Sequence, residues 1–477
     1  MAPRTGRKAE PNVNLTCAID PIHRVLSSAV CDEVFRKLRS KERARKWTLE
    51  AMLNFWVNVV TRAPTSLRAA LDEYSGIKGS SEMRFEPSPS SYFERAQNLS
   101  WTFFRGLFDR FVQAMVPESF ANFEVDLQGQ LKHFPQVWIV DGSSLARVSH
   151  RLKATRDVPQ ILLPGSVIVC HDLFRGIPRV VEFHEKLLGG EAARLRALLD
   201  GVPEGTLLVA DRGYSSVRLL EEITSRKLAC IVRMKRNHAM RLVQQLASQT
   251  DEGHEVTDCI VILGQGGPKS PQLKVRVITK RLANGETLRL VTTELDPAKL
   301  PALVALAVYR RRWKIERLFY DLKEVLNLSR FYAANTNAVA MQVYASAIVY
   351  VALRMAQGRI AHDHGRRPEE LSIAKLFPRA AAAHVELVTR LTILEEVKQA
   401  NPHVKLVLPG LTERNSYCVP LRRLLLEVRK GPRPKTKYSK ARTRVVLLSN
   451  YERKRATAPP AKPRRKGRKK PQPTSRP

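Results

Sequence analysis

Acidic residues are scarce in this chain: 45 Asp and Glu stand against 81 Lys and Arg, for a formal net charge of +36. A surplus that large predicts a polyanionic partner, with nucleic acid ahead of an anionic membrane surface. Clustered cysteines are also missing. Cys17, Cys31, Cys170, Cys230, Cys259 and Cys418 lie far apart with no C-x-x-C pair. That spacing argues against a structural zinc site or a disulfide framework, and for free thiols in a reducing cytosol. No apolar run is expected to reach the length of about 18 residues that a membrane span needs, and no charged-then-apolar segment opens the chain. Neither a membrane partner nor a secretory leader is therefore expected. "HDH" at His362–His364 lies in a polar stretch and reads as surface rather than as a metal site. Aromatic residues are absent between Tyr214 and Tyr309.

A chain of 477 residues, 44% hydrophobic and 26% charged, has the length for two or three domains and the composition of a globular protein. After a basic lead of some twenty residues, Asp32–Tyr74 has helical periodicity, clearest in "WTLEAMLNFWVNVV". A second helical run starts in "SPSSYFERAQNLSWTFFRGLFDRFVQAMV", with Ser90 or Ser91 as its N-cap. Residues 1–130 thus read as a small basic all-helical domain, suited to binding DNA, although helical packing alone gives the same pattern. From Pro135 the character changes. "QVWIVDGSSL", "GSVIVCHDLF" and "PRVVEFHEKL" read as strands, and "GTLLVADRGYSS", "SVRLLEEITSRK" and "LACIVRMK" as strand, helix and strand. Residues 131–236 are therefore expected to build a mixed α/β sheet. Residues 237–298 read as a β-rich insertion, with a hairpin turn at Ala283-Asn284-Gly285. A helix follows within 299–335, then a helical region over 336–430. The tail 431–477 is basic: from Tyr451 it holds eleven Lys or Arg, six prolines and one acid, too little apolar surface to fold alone.

Within "YRRRWKIERLFYDLKEVLNL", Tyr309, Arg312, Glu316 and Lys323 fall at i, i+3, i+7 and i+14. At about 100° per residue these four share a helical stripe roughly 60° wide, apart from the apolar face of Ile315, Leu318, Leu322 and Val325. A solvated face of ion pairs explains the charges equally well. Asp141 and Asp211 each end an apolar strand just before a turn. Two aspartates and a glutamate converging there offer the oxygen donors that hard cations take. Acids at strand ends are also common turn residues, so spacing leaves both readings open.

The three blocks together resemble the bacterial insertion-sequence transposases of the DDE type, in the group with the Y-x2-R-x3-E-x6-K signature. Tyr309, Arg312, Glu316 and Lys323 match that signature without a gap; "VDGSS" resembles the block of the first aspartate and "ADRGYSS" that of the second. The resemblance spans roughly residues 30–430. It implies an RNase H-like catalytic domain interrupted by a β-rich insertion, with an N-terminal all-helical DNA-binding domain and, over 336–430, C-terminal helices that would serve dimerisation. It implies that Asp141, Asp211 and Glu316 hold two Mg²⁺ ions, for which Mn²⁺ substitutes. Tyr309, Arg312 and Lys323 would hold phosphates beside the scissile bond, with Arg212, Arg310, Arg311, Trp313, Lys314 and Arg317 also facing DNA. The expected partners are duplex DNA, namely transposon end inverted repeats and target DNA, and a second copy in a homodimer. The expected setting is the nucleoid in a bacterial cytoplasm. Some relatives stack a flipped base on an aromatic of the insertion; this insertion has none, though Trp313 and Tyr320 lie nearby. The alternatives are a catalytically inactive descendant that binds DNA, and a junction-cutting nuclease.

Overall fold

The computed structural model describes residues 11–15, 18–39, 47–75, 88–144, 165–185, 190–235, 238–266, 271–282, 285–328, 330–332, 335–400 (backbone alone from 387) and 418–426. The basic tail 431–477, Cys17 and the turn residues Ala283 and Asn284 lie outside them.

Strand β1 (Asn12–Asn14) pairs with a strand near the end of the described chain, so the lead read as loose contains a strand. The main sheet uses β2 (Val137–Ser144), β3 (Ser166–Asp172), β4 (Pro178–His184), β5 (Leu207–Ala210), β6 (Ala229–Arg233), β7 (Met240–Asp251), β8 (His254–Leu263), β9 (Leu273–Arg281) and β10 (Thr287–Thr292). The partner of β1 is β11 (Cys418–Pro420). The order is β4-β3-β2-β5-β6-β10-β9-β8-β7. Strands β2, β5 and β6 run parallel, and every other neighbouring pair is antiparallel. The expected insertion therefore joins the same sheet: β10 pairs with β6, and β9, β8 and β7 extend it outward.

Successive strand residues face opposite sides. On one side Val137, Ile139, Val169, Leu207 and Val209 share a core with the helices of residues 20–128 and with helix Thr336–Asp363. On the other, Trp138, Val140, Leu208 and Ala210 pack against helix Val217–Ser225. The expected boundary near residue 130 thus separates helices from strands and not one core from another.

Two local expectations shift. The second helical run is capped by Ser88, whose Oγ accepts from the Ser91 N–H, because Pro89 occupies the first helical position where no N–H is needed. The run then splits into Pro89–Asn98 and Thr102–Glu118. Helix Thr336–Asp363 is long and apolar enough to cross a membrane, contrary to the expectation, but 89% of its most apolar stretch is buried inside the protein. It packs on helices Leu49–Arg62 and Thr102–Glu118 and on β4.

Candidate active site

The sheet places the two aspartates side by side. Strands β2 and β5 pair in parallel from Val137↔Leu207 to Val140↔Ala210, and Asp141 and Asp211 are the next residue of each. Strand β2 does not end there as expected; it continues beside β3 to Ser144. The Asp141 carboxylate accepts the Gly142 N–H at 2.9 Å. Burial pushes its pKa up to about 6, helped by the Glu191 and Asp211 carboxylates and opposed by the Gly142 N–H and the Arg312 guanidinium.

The expected single helix over Tyr309–Leu328 is wound unevenly. Ala302–Arg310 and Trp313–Tyr320 are α-helical. Between them, i→i+3 bonds from Arg311, Arg312, Lys314 and Ile315 tighten the chain toward three residues per turn. Beyond Tyr320, Asp321–Val325 forms a wide turn whose Leu326 N–H reaches the Asp321 carbonyl at 2.9 Å. Over-winding and under-winding act in opposite senses, and the four stripe residues still arrive on one side.

Arg312 is the hub. Its side chain is 10% exposed and lies 3.3 Å from both Asp141 Oδ2 and Glu316 Oε1. Burial opposes its charge, yet Tyr309, Asp211, Asp141 and Glu316 together raise its pKa. All three carboxylates therefore act on one guanidinium. The Tyr309 hydroxyl donates to Asp211 Oδ1 at 3.4 Å, and burial raises its pKa to about 12. Lys323 Nζ donates to the Ser143 hydroxyl at 2.7 Å, at the continuation of β2.

The remaining cations divide. Arg310 pairs with Asp251 and Glu252 at the β7–β8 turn, at 2.8 and 3.2 Å. Arg311 and Lys314 both pair with Glu124, and Arg317 pairs with the buried Asp321. Acids thus offset much of the positive field expected from these four. Arg212 is exposed beside Asp211. Trp313 is 64% exposed, with the Arg312 guanidinium 5.3 Å from its ring, and Tyr320 is also exposed. His362 stacks on Phe120 and bonds Asp363, in keeping with a surface role.

Two residues at the site escaped the sequence reading. Glu191 opens the short helix Glu191–Arg196, and its carboxylate lies against the backbone at Gly142 and Gly213. Tyr214 is fully buried beneath them. Neither carries a spacing signal, since "GGEAARL" reads simply as a helix start.

Among the described residues, no three His, Cys, Asp or Glu side chains close around one point. Arg312 occupies the space between Asp141 and Glu316. The donor set nevertheless fits a hard divalent cation: it is all oxygen, and burial and neighbouring acids oppose the charge on Asp141, a cost that a bound cation offsets.

Residues 132–352 match the family described as the transposase DDE domain. Over 207 residues the chain is 30% identical to a protein of Sinorhizobium fredii named as a transposase, covering 42% of this chain and 57% of that protein. It is 30% identical over 151 residues to one named as the transposase of insertion sequence element IS5377 of Geobacillus stearothermophilus, covering 31% and 38%. A protein of a Synechocystis strain, named for insertion sequence element IS4SA, is 24% identical over 261 residues, covering 52% and 67%. The first two matches span about half the length of those relatives. A cryo-EM structure of the piggyBac transposase synaptic complex with hairpin DNA aligns over 86% of this chain and 91% of that one, at 10% identity and a TM-score of 0.38. A likeness that distant carries no argument about this chain.

Proposed function

We propose that this chain is a DNA transposase that binds the inverted repeats ending an insertion sequence, cuts there and joins the freed end to target DNA. The observation that carries the reading is the pairing of Asp141 and Glu316 with Arg312 and of Asp211 with Tyr309, inside the stretch that matches the transposase DDE domain. The order β4-β3-β2-β5-β6, parallel only across β2, β5 and β6, supports an RNase H-like catalytic domain, with β7–β10 as its β-rich insertion. The unbroken spacing of Tyr309, Arg312, Glu316 and Lys323 supports the Y-R-E-K group. The basic helices before residue 130 would read the DNA ends, and the helices after Ala338 would contribute to a homodimer that pairs two of them. The setting would be the bacterial nucleoid.

Asp141, Asp211 and Glu316 would hold Mg²⁺ or Mn²⁺, two ions per site, and these ions when bound would activate the attacking oxygen and stabilise the departing one. The chain's own cations do the rest. Arg312 offsets the carboxylates that would otherwise repel a DNA backbone. Lys323, now on Ser143, and the Tyr309 hydroxyl, now on Asp211, would turn to phosphate oxygens as donors. Trp313 offers an exposed ring for base stacking. In the first step, water adds to phosphorus and the P–O3′ bond breaks, leaving a 3′-OH on the transposon end and a 5′-phosphate on the flank. In the second, that 3′-OH adds to a target phosphorus and releases a target 3′-OH, so one bond forms for each one broken.

A joining assay tests this reading. The protein, a pre-cut end duplex and a supercoiled plasmid are combined with Mn²⁺. Joined product is expected from a 3′-OH end and none from a 2′,3′-dideoxy end. Tight binding of the duplex without joining would instead indicate an inactive DNA-binding descendant. Preferential cutting of four-way junctions would indicate a resolvase.

A further inference from the structure

We infer that Glu191 is a fourth carboxylate of the active site, sharing the divalent ions with Asp141, Asp211 and Glu316. This rests on the metal-dependent reading above. A methyl group built on Gly142 would lie 3.3 Å from Glu191 Oε1, and one on Gly213 would lie 2.8 Å from Oε2. Gly142 follows Asp141, and Gly213 stands two residues after Asp211, so a single carboxylate reaches both aspartate turns. Neither glycine has the positive φ that would explain its choice. The Glu191 carboxylate lies in the space that a side chain at either position would enter.

A second observation lies beneath. The Tyr214 hydroxyl is fully buried, has no hydrogen-bond partner among the described residues, and sits 3.7 Å from the same Gly142 position. Buried polar groups are rarely left unpaired, and those that are mark sites where an ion or water belongs. Glu191 is exposed to solvent; burial of part of its side chain and the Asp211 carboxylate raise its pKa, and Arg194 opposes them. A solvent-facing carboxylate and a buried, unpaired hydroxyl therefore flank Asp141. A hydrated cation at the aspartates would serve both. The competing role, an acid favouring the start of its own helix, makes no demand on Gly142 or Gly213.

The test is Mn²⁺ binding by the full-length protein without DNA, read from the free-ion electron paramagnetic resonance signal. Circular dichroism melting confirms that each variant is folded. Glu191→Gln is expected to weaken Mn²⁺ binding by about tenfold or more. Gly213→Ala, which keeps the carboxylate but displaces it, is expected to weaken binding in the same direction and guards against a Glu191→Gln protein that fails to fold. Asp211→Asn serves as the control for the triad. Wild-type affinity in both Glu191→Gln and Gly213→Ala, with loss in Asp211→Asn, would overturn the role of Glu191 and leave the triad standing. Undiminished binding in Asp211→Asn would overturn the metal reading and the role of Glu191 with it.

Discussion

At Asp141, burial and function pull against each other. The carboxyl has a pKa of about 6 in the folded chain against an ordinary 3.8. The folded state holds that proton more tightly than the unfolded one, so metal-free stability falls as pH rises from about 4 to about 6 and then levels off. At about 1.4 kcal/mol per pKa unit, the loss is at most about 3 kcal/mol. Asp141→Asn is therefore expected to melt higher than wild type in EDTA at pH 7.5, with little difference near pH 4, and to lose the stabilisation by Mg²⁺ that wild type gains. A lower melting temperature at pH 7.5 would contradict this. Arg312 is the counterpart: Arg312→Ala leaves two close carboxylates without their cation, so end cleavage should drop at least tenfold while DNA binding falls much less. Cleavage and filter-binding assays separate the two effects. The stripe of Tyr309, Arg312, Glu316 and Lys323 was legible because helical spacing records it. Glu191 and Tyr214 were not, because their neighbours come from distant segments and no spacing connects them.

The helix carrying Glu316 was legible as an element, but its winding was not. The i→i+3 tightening at Arg311–Ile315 and the wide turn at Asp321–Val325 are set by tertiary packing, which no periodicity reports. In the insertion, β8, β9 and β10 were readable from their apolar runs. Strand β7 was missed: it is a largely exposed edge strand with two register irregularities, so it shows no alternation. The β7–β8 turn places Glu252 and Gly253 at positive φ, and Asp251 and Glu252 there receive Arg310 from the catalytic segment. Further inside, Arg276 is fully buried and bidentate to Asp258 at 2.7 and 2.6 Å, with its third nitrogen on the Leu300 carbonyl. Removing one partner strands a buried charge. Asp258→Ala is expected to cost about 3–5 kcal/mol in urea unfolding, whereas Arg310→Ala, at a more exposed pair, should cost no more than about 1 kcal/mol. Equal effects would show that the insertion is not anchored as described.

Across the whole molecule, a single core joins the N-terminal helices, one sheet face and helix Thr336–Asp363. The sequence signalled strands and helices in order, but their sharing of one core depends on long-range pairing that composition does not encode. That core also fixes an acid limit. His171 and His384 are buried, and burial lowers each to about 3. Both stay neutral when folded and charge when unfolded, so their contribution is intact above about pH 6.5 and is lost as pH falls. Each removes about 1.4 kcal/mol per pH unit below that point, and the melting temperature should fall accordingly between pH 6.5 and 5. A His384→Gln variant should flatten that slope. The net charge of +36 predicts affinity for DNA that falls steeply with salt, measurable by fluorescence anisotropy.

The most direct test of the central claim is strand cleavage on a labelled duplex carrying the element's own end, comparing wild type with Glu316→Gln, each in Mg²⁺ and in EDTA. Nicking at the end by wild type in Mg²⁺, lost in EDTA and lost in the variant, is the expected result. Equal nicking by both proteins in Mg²⁺ would contradict the assignment of Glu316 and of the site built around it.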